Sequence, residues 1–114
     1  MITIKGVDPR MIANNLDPSE PIHPGELLKE EIEYRGIPQA KLAERMGMPC
    51  MVLNEVLNCK RAVTAEYALL LEAALGIEAD MWIRAQTDYS MQTAKRNKSF
   101  AQRLAEIRKV AAVL

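Results

Sequence analysis

Residues 39–58, QAKLAERMGMPCMVLNEVLN, constrain the fold of this chain more than any other stretch. Apolar residues recur at helical spacing on either side of one interruption, with Leu42, Ala43 and Met46 before it and Leu53, Val56 and Leu57 after it. Gly47 ends the first segment, because only glycine enters the left-handed conformation of a helix stop without penalty. Pro49 starts the second, since a proline ring suits the beginning of a helix and no other part of it. A turn of about three residues then forces two short helices to pack on each other, with the small Ala43 where their axes come close. That arrangement leaves the outer face of the second helix free.

The flanks extend the same reading. His23-Pro24-Gly25-Glu26 opens a helix whose apolar stripe is Leu27, Leu28, Ile32 and Tyr34, and Gly36 stops it. Here His23 is expected to bond a local backbone group as a structural residue. Asn58-Cys59-Lys60-Arg61 reads as a turn, and Thr64 as the N-cap of a helix over 65–75 that is apolar nearly all round. Such a helix belongs at the centre of the domain or at a dimer contact. After Gly76 a fifth helix is predicted to reach about Tyr89, with Met81, Trp82, Ala85 and Tyr89 at helical spacing and Trp82 as a core anchor. A final amphipathic helix over 99–113 carries Phe100, Leu104, Ile107 and Ala111 on one face, with Arg103, Arg108 and Lys109 among its basic residues. Only 4% of the chain is aromatic against 49% hydrophobic, so the core is built from Leu, Ala, Ile, Met and Val, a mixture that suits close-packed helices. The expected organisation is all-α: an arm over 1–22, a domain of about five helices over 23–94, and a basic tail over 95–114. Pro9, Pro18 and Pro21 limit the arm to a short turn or strand around Met1–Val7.

The net charge is zero, but it is unevenly distributed. Residues 1–34 carry 3 basic and 7 acidic side chains and 62–94 carry 1 and 5, whereas 35–61 carry 5 and 2 and 95–114 carry 6 and 1. Two basic blocks therefore alternate with two acidic ones, and a locally basic face can meet phosphate on a neutral protein. Cys50 and Cys59 match neither a zinc nor a redox spacing, so reduced thiols of a cytoplasmic protein are expected. No signal-peptide pattern and no membrane-spanning run is present in the sequence. One histidine, no phosphate-cradling glycine loop and no paired acids point away from an enzyme, and no cofactor or metal is expected.

A packed helix pair with a free outer face can cross a DNA backbone with its first helix and lay the second in the major groove. The reading residues are then Pro49, Cys50, Met51, Asn54, Glu55 and Asn58. Asn54 has the geometry for adenine, Glu55 can accept from cytosine, and Met51 can touch a thymine methyl. Gln39 can reach phosphate beside the backbone donors of a helix start. Lys60 and Arg61 are the foremost phosphate-contacting charges, with Lys41 and Arg45 behind them. The reading helix itself holds no Lys or Arg, so two copies on an inverted repeat are expected to supply the affinity that one lacks.

HPGELLKEE at 23–31, QAKLAERMGM at 39–48, LNEVLNCKRAVTAEYALLLEAALG at 53–76 and MWIRAQTDY at 81–89 together resemble the HigA antitoxins. These form the plasmid-maintenance or virulence-associated-protein-I group of the phage-repressor-like Xre helix-turn-helix family. The resemblance covers residues 23–94. It implies an antitoxin of a type II toxin–antitoxin module: a dimeric repressor of its own operon that neutralises a HigB-type, RelE-like mRNA-cleaving toxin. On that resemblance Gln39, Pro49, Cys50, Asn54, Lys60 and Arg61 face operator DNA, and the dimer contact falls around 80–94 alone or around 80–94 together with the tail. Two departures stand out. Cys59 replaces the glycine usual in the Asn-Gly-Lys-Arg turn, so that turn is expected to be strained or reshaped. Met51 replaces a residue that is polar or basic in many relatives. The alternatives are a stand-alone or prophage repressor without a toxin, and an interaction module that has lost DNA binding.

Overall fold

The computed structural model describes residues 20–112, which form six α-helices and, among the described residues, no strand. They are α1 (Pro24–Arg35), α2 (Gln39–Met46), α3 (Cys50–Leu57), α4 (Ala65–Leu75), α5 (Ala79–Arg96) and α6 (Lys98–Ala111). The suggested strand near Met1–Val7 and the end of the last helix at Val113 lie outside the described residues.

Punctuation in the sequence sets the helix ends. Gly36, Gly47 and Gly76 close α1, α2 and α4 with φ of 69°, 66° and 78°, and each cap N–H donates back to a carbonyl of its helix. Thr64 caps α4 as expected, its Oγ1 accepting from Tyr67 N–H at 3.2 Å. The first five helices close on one core. Leu28 and Ile32 of α1, Leu42, Ala43 and Met46 of α2, Leu53, Val56 and Leu57 of α3, Ala68, Leu71 and Leu75 of α4, and Trp82 of α5 are all buried together. Trp82, 1% exposed, is the largest of them and anchors α5 as the sequence suggested.

The opening tetrapeptide explains how α1 is held. His23 is buried, and its Nδ1 accepts from Gly25 N–H at 2.8 Å, capping the helix that Pro24 begins. A Cβ on Gly25 would lie 1.9 Å from the carbonyl oxygen of Val56, so only glycine lets α1 approach α3 this closely. Burial lowers the His23 pKa from its ordinary 6.5, against a weaker upward pull from the Glu26 carboxylate. The neutral ring also meets Tyr89 of α5 edge-on, with centroids 4.8 Å apart.

Several expectations change. The fifth helix does not end near Tyr89 but continues through Arg96, since nothing from Ser90 to Arg96 disfavours a helix and the first break is Asn97, whose Oδ1 caps α6 by accepting from Phe100 N–H at 3.0 Å. Tyr34, placed in the apolar stripe of α1, is 89% exposed, because it stands two residues after the buried Ile32 and so about 200° round the helix from it. The sequence makes α4 apolar all round, yet Leu69 is largely exposed and only one side enters the core. No residue of α6 is fully buried, and its main packing among the described residues is against α5. The radius of gyration of 17.4 Å exceeds the roughly 13 Å of a compact chain of this length, so the end of α5 and α6 project beyond the core.

Candidate nucleic-acid interface

Leu42, Ala43 and Met46 of α2 and Leu53, Val56 and Leu57 of α3 are buried, so the two helices share the seam predicted from the sequence. Burying 53, 56 and 57 leaves 51, 54, 55 and 58 on the other side, spaced as one stripe along α3. Met51 is 72% exposed, Asn54 and Asn58 are exposed, and Glu55 is half-buried. Pro49 and Cys50 are exposed at the start of the helix.

The starts of α2 and α3 differ from those of their neighbours. Side chains cap α1, α4 and α6, and Glu72 accepts from Ala79 N–H at 3.2 Å at the start of α5. Pro38 and Pro49 stand at the N-cap positions of α2 and α3, and neither helix start has a side-chain cap. Their first backbone donors are therefore left for solvent or an anion, with the positive end of each helix dipole behind them. The two starts are adjacent: Gln39 Nε2 lies 4.0 Å from Cys50 Sγ, so Gln39 bridges the helix that would cross a backbone and the helix that would read bases.

Polar groups on the reading stripe are paired with one another. Asn58 Nδ2 donates to both the carbonyl and Oδ1 of Asn54, each at 3.0 Å. Arg61 donates from Nε at 2.9 Å and Nη2 at 2.6 Å to Glu55 Oε1. That pair compensates the carboxylate which the sequence left facing a negative groove, and hydrogen bonding to Glu55 raises the Arg61 pKa further. It also occupies Arg61, which the sequence offered simply as a phosphate contact. Lys60, exposed beside it, makes no hydrogen bond through its ammonium among the described residues, and Lys41 and Arg45 are exposed on α2.

The turn that carries Lys60 and Arg61 depends on two residues with quite different roles. Cys59 adopts φ of 64°, alone among the described non-glycine residues, so the chain keeps the left-handed turn despite the substitution. Burial pushes its thiol pKa up, with the nearby Glu26 adding to the shift, which makes it a poor nucleophile. Gln86 of α5 stands in the MWIRAQTDY run that carries the resemblance but was given no role from the sequence: its Oε1 accepts from Val63 N–H at 2.8 Å and fixes the far end of the same turn. Its place four residues after Trp82 and three before Tyr89 was a usable signal, because that spacing puts all three on one side of a helix. No group of three or more His, Cys, Asp or Glu among the described residues could hold a metal ion, and no described helix is long and apolar enough to cross a membrane.

No family model matches the chain. It is 35% identical over 78 residues to virulence-associated protein I of Dichelobacter nodosus, spanning 68% of this chain and 72% of that protein. Among solved structures it is similar to an addiction module antidote protein of a HigA family from Coxiella burnetii, with a TM-score of 0.69 and 30% identity over 76% of this chain and 94% of that one. It is similar also to the Pseudomonas aeruginosa antitoxin HigA with the higBA promoter, with a TM-score of 0.68 and 28% identity over 75% of this chain and 91% of that one.

Proposed function

The chain belongs to the HigA family of helix-turn-helix antitoxins and DNA-binding regulators, and on that premise we propose that it represses its own operon as a dimer and neutralises a HigB-type, RelE-like mRNA-cleaving toxin. Like its family it is a regulator and carries no catalytic function. The observation that carries the DNA half of this reading is the α2–α3 pair. Its buried seam turns Met51, Asn54, Glu55 and Asn58 outward, and its two uncapped helix starts lie side by side.

In this reading α3 enters the major groove while Gln39 and the backbone donors at the start of α2 hold phosphate. Pro49, Cys50 and Met51 approach the base edges first. Asn54 reads adenine, Glu55 accepts from cytosine, and Asn58 follows along the groove. Lys60 and Arg61 grip the backbone beyond. Because α3 has no cation of its own, one copy binds weakly and two copies on an inverted repeat bind well. The exposed apolar residues Met91 on α5 and Phe100, Ile107 and Val110 on α6 supply surface for self-association or for the toxin.

A quantitative pull-down from native lysate, with the neighbouring gene expressed, tests the antitoxin half. Recovery of a small stoichiometric RelE-like protein supports it, and a clean preparation favours a stand-alone repressor. Binding to a duplex from the chain's own upstream region tests the DNA half. No binding there at low salt would leave only an interaction module.

A further inference from the structure

Glu55 holds the turn after α3 at two points. Its carbonyl accepts from Lys60 N–H at 2.8 Å, and its Oε1 accepts from Nε and Nη2 of Arg61 at 2.9 and 2.6 Å. Both guanidinium donors converge on one carboxylate oxygen. The other, Oε2, makes no hydrogen bond among the described residues and is left to accept from elsewhere. The side chains are 44% exposed for Arg61 and 37% for Glu55, so the pair lies at the surface, where ion pairs are weak enough to open against a competing phosphate.

We propose that Glu55 determines specificity by acting through Arg61: it withholds the guanidinium from phosphate on DNA lacking a matching donor, and releases it where a cytosine amino group faces α3. The proposal rests on the DNA-binding reading above. On a non-matching duplex the carboxylate is driven toward negative charge with no base donor to receive it. Arg61 must then stay to compensate it, and one phosphate contact is forgone. Opposite cytosine, the N4 amino group donates to the carboxylate and shares its charge, and Arg61 is freed to turn to the backbone. Asn54 and Asn58 follow the same logic, since the hydrogen bonds that Asn58 donates to Asn54 must be exchanged for base edges and only a matching site returns them. A reading face paired with itself thus offsets the lack of cations on α3 by discrimination rather than by affinity.

The test is a double-mutant cycle of Glu55→Gln and Arg61→Ala on the full chain, each variant first shown to unfold cooperatively like the wild type. Affinity is measured across salt for a random-sequence duplex of about 30 base pairs, long enough for two half-sites, and for a duplex that the wild type selects from a random pool. Glu55→Gln is expected to raise affinity for the random duplex by roughly three- to tenfold at low salt and to steepen the salt slope by about 1. Preference for the selected duplex falls with it. In the Arg61→Ala background the same substitution loses most of this effect. An equal gain in both backgrounds would show only the carboxylate's own repulsion of DNA and would overturn the proposal, as would no change in the wild-type background. Should the wild type bind neither duplex, the DNA-binding reading itself falls and this proposal with it.

Discussion

Cys59 occupies a backbone conformation that side chains resist. At φ of 64° its Cβ crowds the following carbonyl, a strain of about 1–2 kcal/mol for an L-residue. Glycine removes the strain but adds freedom to the unfolded chain and gives up the half-buried side chain, so Cys59→Gly is expected to stabilise by only about 0.5–1 kcal/mol. A rise of a few degrees in thermal midpoint checks this, and a fall would mean that the side-chain packing outweighs the strain. His23 supplies a pH dependence. Its folded-state pKa is depressed, so the unfolded chain takes up the proton more readily. The stability it contributes is complete above its ordinary value of 6.5 and is lost as pH falls through that value toward the lowered folded one. Melts at descending pH from about 7.5 to 5.5 should show this decline. His23→Asn, which keeps an N-cap acceptor without a titrating ring, should flatten it over that interval.

At the scale of elements, a distant helix supports the turn beside the proposed reading surface. Gln86 of α5 holds the N–H of Val63, whose side chain is buried in the core, at the end of the turn that carries Lys60 and Arg61. Gln86→Ala leaves that amide without its acceptor, at a cost of about 1–2 kcal/mol. Faster hydrogen exchange at Val63 together with weaker DNA binding would bear this out; unchanged exchange would mean that the turn holds itself. Lys60→Ala separates the charge from the scaffold: it should weaken binding to all duplexes alike and reduce the salt slope by about 1, with stability unchanged. Much of this layer was legible beforehand. Pro24, Pro38 and Pro49 mark starts and Gly36, Gly47 and Gly76 mark stops, because each acts within its own turn of helix. The continuation of α5 past Tyr89 was missed, although Met91, Gln92, Ala94, Lys95 and Arg96 all favour a helix, because propensity alone does not say whether a polar segment continues one helix or links two.

At the scale of the whole molecule, α6 stands apart. It contributes no fully buried residue and, among the described residues, packs mainly on α5, so ending the chain after Asn97 is expected to change the stability of the remainder by less than about 1 kcal/mol. Sedimentation of the truncated and full chains then separates the two uses of its exposed apolar face. Loss of self-association on truncation assigns that face to the dimer, and an unchanged dimer leaves it for the toxin. A truncated chain that no longer unfolds cooperatively would instead make α6 part of the domain.

The sequence by itself determined the all-α class, the α2–α3 pair, its buried seam and the outward stripe of α3. These follow from periodicity and from the local stereochemistry of proline and glycine, which act over a few residues. Tertiary structure alone decided the rest. His23 meets Tyr89, Gly25 lies against Val56, Gln86 holds Val63, and Arg35 Nη1 donates to the carbonyl of Leu75 at 2.9 Å. Each joins residues far apart in the chain, whose geometry exists only after the core has closed. The pairing of Glu55 with Arg61 belongs with them despite its short separation, because the direction of the turn between them is set by a left-handed cysteine. Residue spacing shows which side chains share a face; only packing decides which of them are already engaged.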